Sequence, residues 1–179
     1  MIYTTTIPSP LAELTLASDG ENLIGLWLKG QKYFAATLKQ EPLPKDDLLV
    51  FQKCEAWLTR YFNKEQPDPL NLPLKPAGTA FYQQVFKQLL QIPYGQTITY
   101  GQIAKELTLQ GKNSSLPYRA VGGAVGHNPI SIIIPCHRVV GASGSLTGYA
   151  GGLDKKIALL ELEGVNVSEF HIPNTPTAY

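Results

Sequence analysis

The stretch Ile132-Ile133-Ile134-Pro135-Cys136-His137-Arg138-Val139-Val140 decides how the chain is read. Three β-branched residues in a row predict a buried strand, and Pro135 ends it because proline has no N–H to give to a ladder. Cys136 follows directly, a position that presents a nucleophile at the end of a strand. His137 and Arg138 beside it favour the thiolate, which is the reactive form and a minority species of an ordinary thiol at neutral pH. Adjacent side chains diverge on any regular backbone, so a water between Cys136 and His137 is the expected link rather than a direct hydrogen bond. On residue chemistry alone an inert, packed Cys136 stays as open as a nucleophilic one.

Upstream of this stretch the chain shows two short helical patterns. Thr99 and Gln102 have capping-box spacing, with Ile103, Ala104 and Leu107 as the apolar stripe behind them. Gly111 to Ser115 forms a loop, and Pro117 opens a second helix through Arg119-Ala120-Val121-Gly122-Gly123-Ala124-Val125. Short helix, turn, short helix is the outline of a helix-turn-helix. Each of the two glycines costs the second helix about 1 kcal/mol relative to alanine, so its small residues imply a close neighbour. That neighbour is either another helix in the core or a nucleic-acid backbone.

Downstream, Leu153 to Glu163 reads as a helix with Gly164 just past its end. An acid in the last turn opposes the helix dipole, which points either to a buried basic partner for Glu163 or to a solvated terminal glutamate. Towards the amino terminus, Leu11, Leu14 and Leu16, the turn Ser18-Asp19-Gly20 and then residues 23–28 predict a β-hairpin. Residues 48–62 recur at helical spacing, with Cys54 on the buried stripe. Five prolines and glycines between Gln66 and Gly78 mark a linker, and Phe81, Val85, Phe86, Leu89 and Leu90 a further amphipathic helix. The division is therefore 1–78 and 79–179.

The 179 residues are 44% hydrophobic and carry a net charge of +1, which excludes general disorder and needs no disulfide or metal to hold a core. No apolar run suits a membrane span and the first ten residues lack a signal-peptide pattern, so a cytoplasmic or nuclear protein is expected. Two cysteines without close spacing and three scattered histidines predict neither a disulfide framework nor a zinc site. The charge is uneven: residues 80–160 hold seven basic against two acidic side chains. That block suits a polyanionic partner or reflects chance clustering of solvated lysines.

Pro135-Cys136-His137-Arg138-Val139, with Arg119-Ala120-Val121-Gly122-Gly123-Ala124 and Asn128-Pro129 before it and Gly148-Tyr149-Ala150-Gly151-Gly152-Leu153 after it, resembles the O6-alkylguanine-DNA alkyltransferase family. The motifs occur in order over residues 80–164, and residues 9–28 and the linker resemble the family's amino-terminal region more loosely. The resemblance implies an α/β (α+β) protein: an amino-terminal ribonuclease H-like α/β domain and a mainly helical, winged-helix-like carboxy-terminal domain. It implies a single-use DNA repair protein that flips O6-alkylguanine out of duplex DNA and moves the alkyl group to Cys136. By the same resemblance His137 takes the thiol proton through a water and Glu163 fixes the imidazole. Tyr100 crowds the target phosphate and donates to the flipped guanine, and Arg119 fills the gap left in the minor groove, with little sequence preference. Asn128 braces the turn before the active-site strand. The carbonyls of Cys136 and Val139 accept from the guanine amino group, and Tyr149 with the Ala150 amide closes the pocket over O6. The implied protein is a monomer of the prokaryotic cytoplasm, with no metal and no cofactor. The alternative is a lesion-binding module without transfer, whose known examples lack the cysteine. The loop Leu109 to Tyr118 is longer than expected for the family, Ala150 stands where some relatives carry serine, and His127 and His171 read as surface residues.

Overall fold

Alternating leucines and a tight polar turn make the predicted hairpin: β2 (Leu14–Ser18) and β3 (Leu23–Leu28) pair antiparallel, Leu16 opposite Leu26. Asp19 accepts from the Glu21 and Asn22 amides and holds the turn. An additional strand, β1 (Tyr3–Ile7), pairs antiparallel with β2, and the short β4 (Leu43–Pro44) pairs parallel with β1. The sheet order is β3-β2-β1-β4. β1 reads Tyr-Thr-Thr-Thr-Ile, whose polar run gives no apolar alternation, while Pro8 and Pro10 delay β2 to Leu14. Helix α1 (Leu49–Phe62) buries Val50, Phe51, Cys54, Trp57, Leu58 and Tyr61, the stripe read from spacing. The proline-rich segment holds one short 3₁₀ turn, Pro69–Asn71, and a single bridge from Leu74 to Leu23.

The model, a computed structural model, describes residues 1–110 and 116–174. Its chain forms two units, Met1–Ala77 with Pro129–Ile134, and Gly78–Asn128 with Pro135–Tyr179. Gly78 falls in the second unit, and Pro129–Ile134 groups with the amino-terminal one. There the Leu26 amide donates to the Pro129 carbonyl at 2.8 Å, and the Ser131 amide donates to the Leu26 carbonyl at 2.9 Å. The predicted strand over 132–134 is instead a turn. Ile130 alone bridges to Leu26, the Ile134 amide returns to the Ile130 carbonyl at 3.1 Å, and Ile132 adopts φ +69°. All three isoleucines are buried, as the run predicts, but the backbone turns instead of extending. A left-handed β-branched residue costs of order 1–3 kcal/mol and persists only where burial over-determines it.

The second unit carries α2 (Ala80–Leu89), α3 (Tyr100–Leu109), α4 (Tyr118–Gly126) and α5 (Leu153–Leu162). A two-stranded parallel pair joins them: β5 (Ile98–Thr99) and β6 (Val139–Val140). The capping box is present as read: Thr99 accepts from the Gln102 amide, and the Gln102 side chain accepts from the Thr99 amide. Helices α3 and α4 pack on each other as the helix pair, and Pro117 sits one position before α4 rather than inside it. Residues 111–115 of the loop Leu109 to Tyr118 lie outside the described residues. Val140, Leu146 and Leu160 form a core cluster covered by Leu153, Ile157, Val165, Val167 and Phe170.

Leu26 is fully buried in the sheet, whereas Leu49 at the start of α1 is 64% exposed. Leu26→Ala is expected to cost about 2–5 kcal/mol through lost burial and a residual cavity, and Leu49→Ala less than about 0.5 kcal/mol. Urea unfolding of both variants at equal m-value checks this.

Candidate active site

Helix α5 delivers the central acid. Its end is closed by Gly164 at φ +80°: the Gly164 amide returns to the Glu161 carbonyl at 3.0 Å and the Val165 amide to Leu160 at 2.9 Å. This Schellman closure turns the chain sharply after Glu163, and Val165 packs beside Leu160. Glu163 is only 5% exposed, so the solvated reading is excluded. Its Oε1 accepts from His137 Nε2 at 2.6 Å and Arg138 Nη2 at 3.0 Å, while Oε2 accepts from Arg138 Nε at 2.8 Å and the Gly95 amide at 3.0 Å. Gly95 has φ +74°, and a Cβ there would lie 2.8 Å from the Glu163 carbonyl oxygen. Only glycine fits that approach.

Arg138 completes its fan by donating from Nη1 to the Ile92 carbonyl at 2.6 Å, and its guanidinium lies 5.7 Å from the Tyr94 ring centroid. Burial would raise the Glu163 pKa, but the His137 and Arg138 hydrogen bonds and charge outweigh it and hold the carboxyl well below the usual range. Burial lowers the pKa of His137, against the opposing pull of Glu163, so the imidazole is neutral. An ionised carboxylate only accepts, so the single imidazole proton sits on Nε2. Nδ1 is thereby the basic nitrogen.

Cys136, His137 and Arg138 form a 3₁₀ turn that leads into β6, and the Val139 amide donates back to the Cys136 carbonyl. Such a turn spreads three consecutive side chains, which lets His137 and Arg138 reach Glu163 while Cys136 turns elsewhere. The expected exposed nucleophile is in fact buried, at 4% exposure. Asn128, which follows the end of α4 and is itself buried, donates from Nδ2 to Cys136 Sγ at 3.1 Å. Burial pushes the Cys136 thiol pKa up, opposed by the Asn128 hydrogen bond and the charge of Lys156. Tyr149 lies edge-on to His137, ring centroids 6.5 Å apart, and its hydroxyl is buried with no hydrogen-bond partner among the described residues. Ala150 follows, partly buried. Tyr100, the first residue of α3, holds its hydroxyl 3.4 Å from the Thr147 and Gly148 carbonyls.

The geometry thus gathers Cys136, His137, Glu163, Asn128, Val139 and Tyr149. Arg119 stands apart, exposed in the first turn of α4. On that helix Val121, Gly122, Ala124 and Val125 face inward, while a Cβ at Gly123 or Gly126 would meet nothing within 4 Å among the described residues. No packing within the described chain requires glycine at those two positions. His127 is half-buried rather than a surface residue, its Nδ1 2.7 Å from the Gly123 carbonyl. Arg138 and Lys156 are buried, so two of the seven basic residues of the positive block are not on its exposed face. Among the described residues no three His, Cys, Asp or Glu side chains are placed to hold a metal ion.

Sequence reading missed Gly95, Lys156 and the weight of Arg138. Lys156 had a legible signal, since 156, 160 and 163 share one helical stripe and a charge on an apolar stripe calls for a partner.

The carboxylate arrangement has a measurable sign. Because the folded pKa of Glu163 is depressed, its stabilisation is fully present above about pH 4.5 and is lost as pH falls below that value. Glu163→Gln leaves the Arg138 charge buried without its counter-ion and is expected to lower stability at pH 7 by about 3 kcal/mol, with a flatter pH dependence below pH 4.5. Thermal melts across pH check both, and a small rise in stability would restore the solvated reading.

Two family models match the chain in order. The 6-O-methylguanine DNA methyltransferase ribonuclease-like domain matches residues 2–76, and the 6-O-methylguanine DNA methyltransferase DNA binding domain matches residues 80–165. The chain is 43% identical over 178 residues to the methylated-DNA--protein-cysteine methyltransferase of Haemophilus influenzae, covering 97% of this chain and 93% of the relative. It is 46% identical over 163 residues to the protein of the same name from Mycobacterium bovis, covering 91% and 93%. Among solved structures it is similar to Mycobacterium tuberculosis OGT in complex with DNA, at a TM-score of 0.77 and 42% identity, covering 98% of this chain and 96% of that one. Matched along both halves by models and relatives alike, the chain belongs to the 6-O-methylguanine DNA methyltransferase family.

Proposed function

We propose that this protein repairs duplex DNA bearing O6-alkylguanine by moving the alkyl group once, irreversibly, onto its own Cys136. The observation that carries this reading is the buried array in which Glu163 holds neutral His137 with its proton on Nε2, one residue from Cys136. That array can make a thiolate in a site closed to bulk water.

The chemistry balances without a cofactor. His137 Nδ1 accepts the Cys136 proton through a water, and the charge that forms on the imidazole faces Glu163. The thiolate attacks the alkyl carbon, the carbon–O6 bond breaks, and its electron pair leaves with the guanine, which takes up a proton. Asn128 braces Sγ, and Tyr100 moves from its long contacts with Thr147 and Gly148 to donate to the departing base. The carbonyls of Cys136 and Val139 accept from the guanine amino group, and Tyr149 with the Ala150 amide closes over O6. The product thioether has no leaving route, so each molecule acts once.

A base inside the stack is out of reach of Cys136, so the nucleotide is flipped. Exposed Arg119 fills the vacated space from the minor groove, and the open Gly123 and Gly126 positions admit the DNA backbone to α4. The carboxy-terminal domain, 79–179, performs recognition and transfer, and the amino-terminal domain, 1–78, completes the protein as a monomer. No helix among the described residues is long and apolar enough to cross a membrane, and we place the protein in the prokaryotic cytoplasm.

Incubation with duplex carrying a labelled methyl on guanine O6 tests the reading. One equivalent of label on the wild-type protein, none on Cys136→Ser with DNA binding kept, and an unchanged equivalent on Cys54→Ser are expected. Cys54 is fully buried and burial pushes its thiol up to about 12, so it is no competing acceptor. Bound DNA with no label on wild type would favour a lesion-binding module, and label on Cys54 would overturn the assignment.

A further inference from the structure

The solvent-facing surface of α4 is nearly bare of side chains. Val121, Gly122, Ala124 and Val125 are buried, which leaves Tyr118, Arg119, Ala120, Gly123 and Gly126. Only Tyr118 and Arg119 of these extend beyond Cβ, and both stand in the first turn. Tyr118 is 54% exposed, and among the described residues its ring has no aromatic or cationic neighbour and its hydroxyl no hydrogen bond. A single exposed tyrosine is ordinary on a protein surface. This one stands beside Arg119 and above the open Gly123 and Gly126 positions, at the part of α4 that the alkyl-transfer reading lays against DNA.

Residues 119, 123 and 126 recur at spacings of four and three and so share one strip of the helix. Tyr118 lies about 100° round from Arg119, and the residue one turn below it, Gly122, is buried. Its ring is therefore free only at the tip of the helix. Cα–Cβ bonds tilt towards a helix's amino terminus, so the two side chains project past the end of α4 on diverging lines. Pro117 precedes them as the N-cap at φ −63° and ψ 133°, a restricted backbone from which both depart. A duplex that touches the glycine strip and receives Arg119 meets the Tyr118 ring at the flank of the same gap.

Tyrosine suits what it would meet there. The family model that matches residues 80–165 is a DNA binding domain. The floor of a minor groove presents purine N3 and pyrimidine O2 acceptors at every base pair, between walls of sugar C–H groups. A tyrosine brings an apolar face for the walls and a hydroxyl donor for the floor, at a low cost in side-chain freedom. Neither contact depends on base identity.

We propose that Tyr118 is a second DNA-contact residue of the repair site: its ring wedges against the base step flanking the vacated position, and its hydroxyl donates to a minor-groove acceptor there. Arg119 fills the gap and Tyr118 holds its edge. The proposal deepens the alkyl-transfer reading and rests on it.

The test uses the full protein with O6-methylguanine duplex and with free O6-benzylguanine, for wild type, Tyr118→Ala and Tyr118→Phe. Tyr118→Ala is expected to raise the duplex Kd about tenfold. Free O6-benzylguanine offers no base step to wedge, so the same variant is expected to lose far less on it. Tyr118→Phe keeps the ring and is expected to weaken duplex binding by no more than about threefold. No charge is removed in Tyr118→Ala, so the slope of duplex affinity against salt is expected to stay as in wild type. 2-Aminopurine placed on each side of the lesion brightens where its stack opens, and Tyr118→Ala is expected to dim one flank. Wild-type duplex binding by Tyr118→Ala overturns the proposal, as does an equal loss on duplex and free base, which would make Tyr118 a residue of the fold. A flattened salt slope, or 2-aminopurine signals unchanged on both flanks, also overturns it. If wild type takes no methyl from the duplex, the functional reading fails, and the binding and fluorescence comparisons still decide the role of Tyr118. If wild type does transfer and Tyr118→Ala matches it throughout, the Tyr118 proposal alone fails.

Discussion

One carboxylate organises the site. Glu163 accepts from His137, from Arg138 through two nitrogens and from the Gly95 amide, all inside the protein. Its neighbours answer its demands: Gly95 has the only side chain that clears the Glu163 backbone, and Gly164 ends α5 just beyond the acid. An acid at a helix C-terminus is disfavoured by the dipole by about 0.3–1 kcal/mol, a small term beside the cost of leaving a buried guanidinium unpaired. The arrangement persists because every member is satisfied. Its by-product is chemical: the same contact that neutralises Arg138 fixes which imidazole nitrogen is basic.

The nucleophile inherits this order. Cys136 is buried, and burial alone works against the thiolate. What opposes burial is local: the Asn128 amide on Sγ and the positive charge of Lys156. A soft anion kept from bulk water and surrounded by fixed donors is suited to displacing an alkyl group from an aromatic oxygen.

Much of this was legible in the sequence. Periodicity located α1, α2 and α3 to within a residue or two, and the Thr99–Gln102 capping box marked the start of α3 because such a box is a purely local interaction. Two of the expected neighbours are in contact pairwise, Asn128 with Cys136 and His137 with Glu163. Three features escaped local reading for physical reasons. β1 is a threonine run whose strand character comes from pairing on both sides, β2 at one edge and β4 at the other. The isoleucine run is buried but bent, since hydrophobicity reports depth and not backbone angle. Arg138 and Lys156 count as charges in a surface tally yet are interior, and only tertiary contacts distinguish the two fates.

The role proposed for Glu163 is to act through His137 rather than as a mere brace. The most direct measurement is the single-turnover rate of alkyl transfer from O6-methylguanine duplex to Glu163→Gln, taken well below the variant's melting temperature and with DNA saturating. Gln keeps one acceptor oxygen but carries no negative charge to stabilise the imidazolium, so the rate is expected to fall by orders of magnitude while DNA binding holds. A folded Glu163→Gln protein that transfers the methyl group at the wild-type rate would contradict the account.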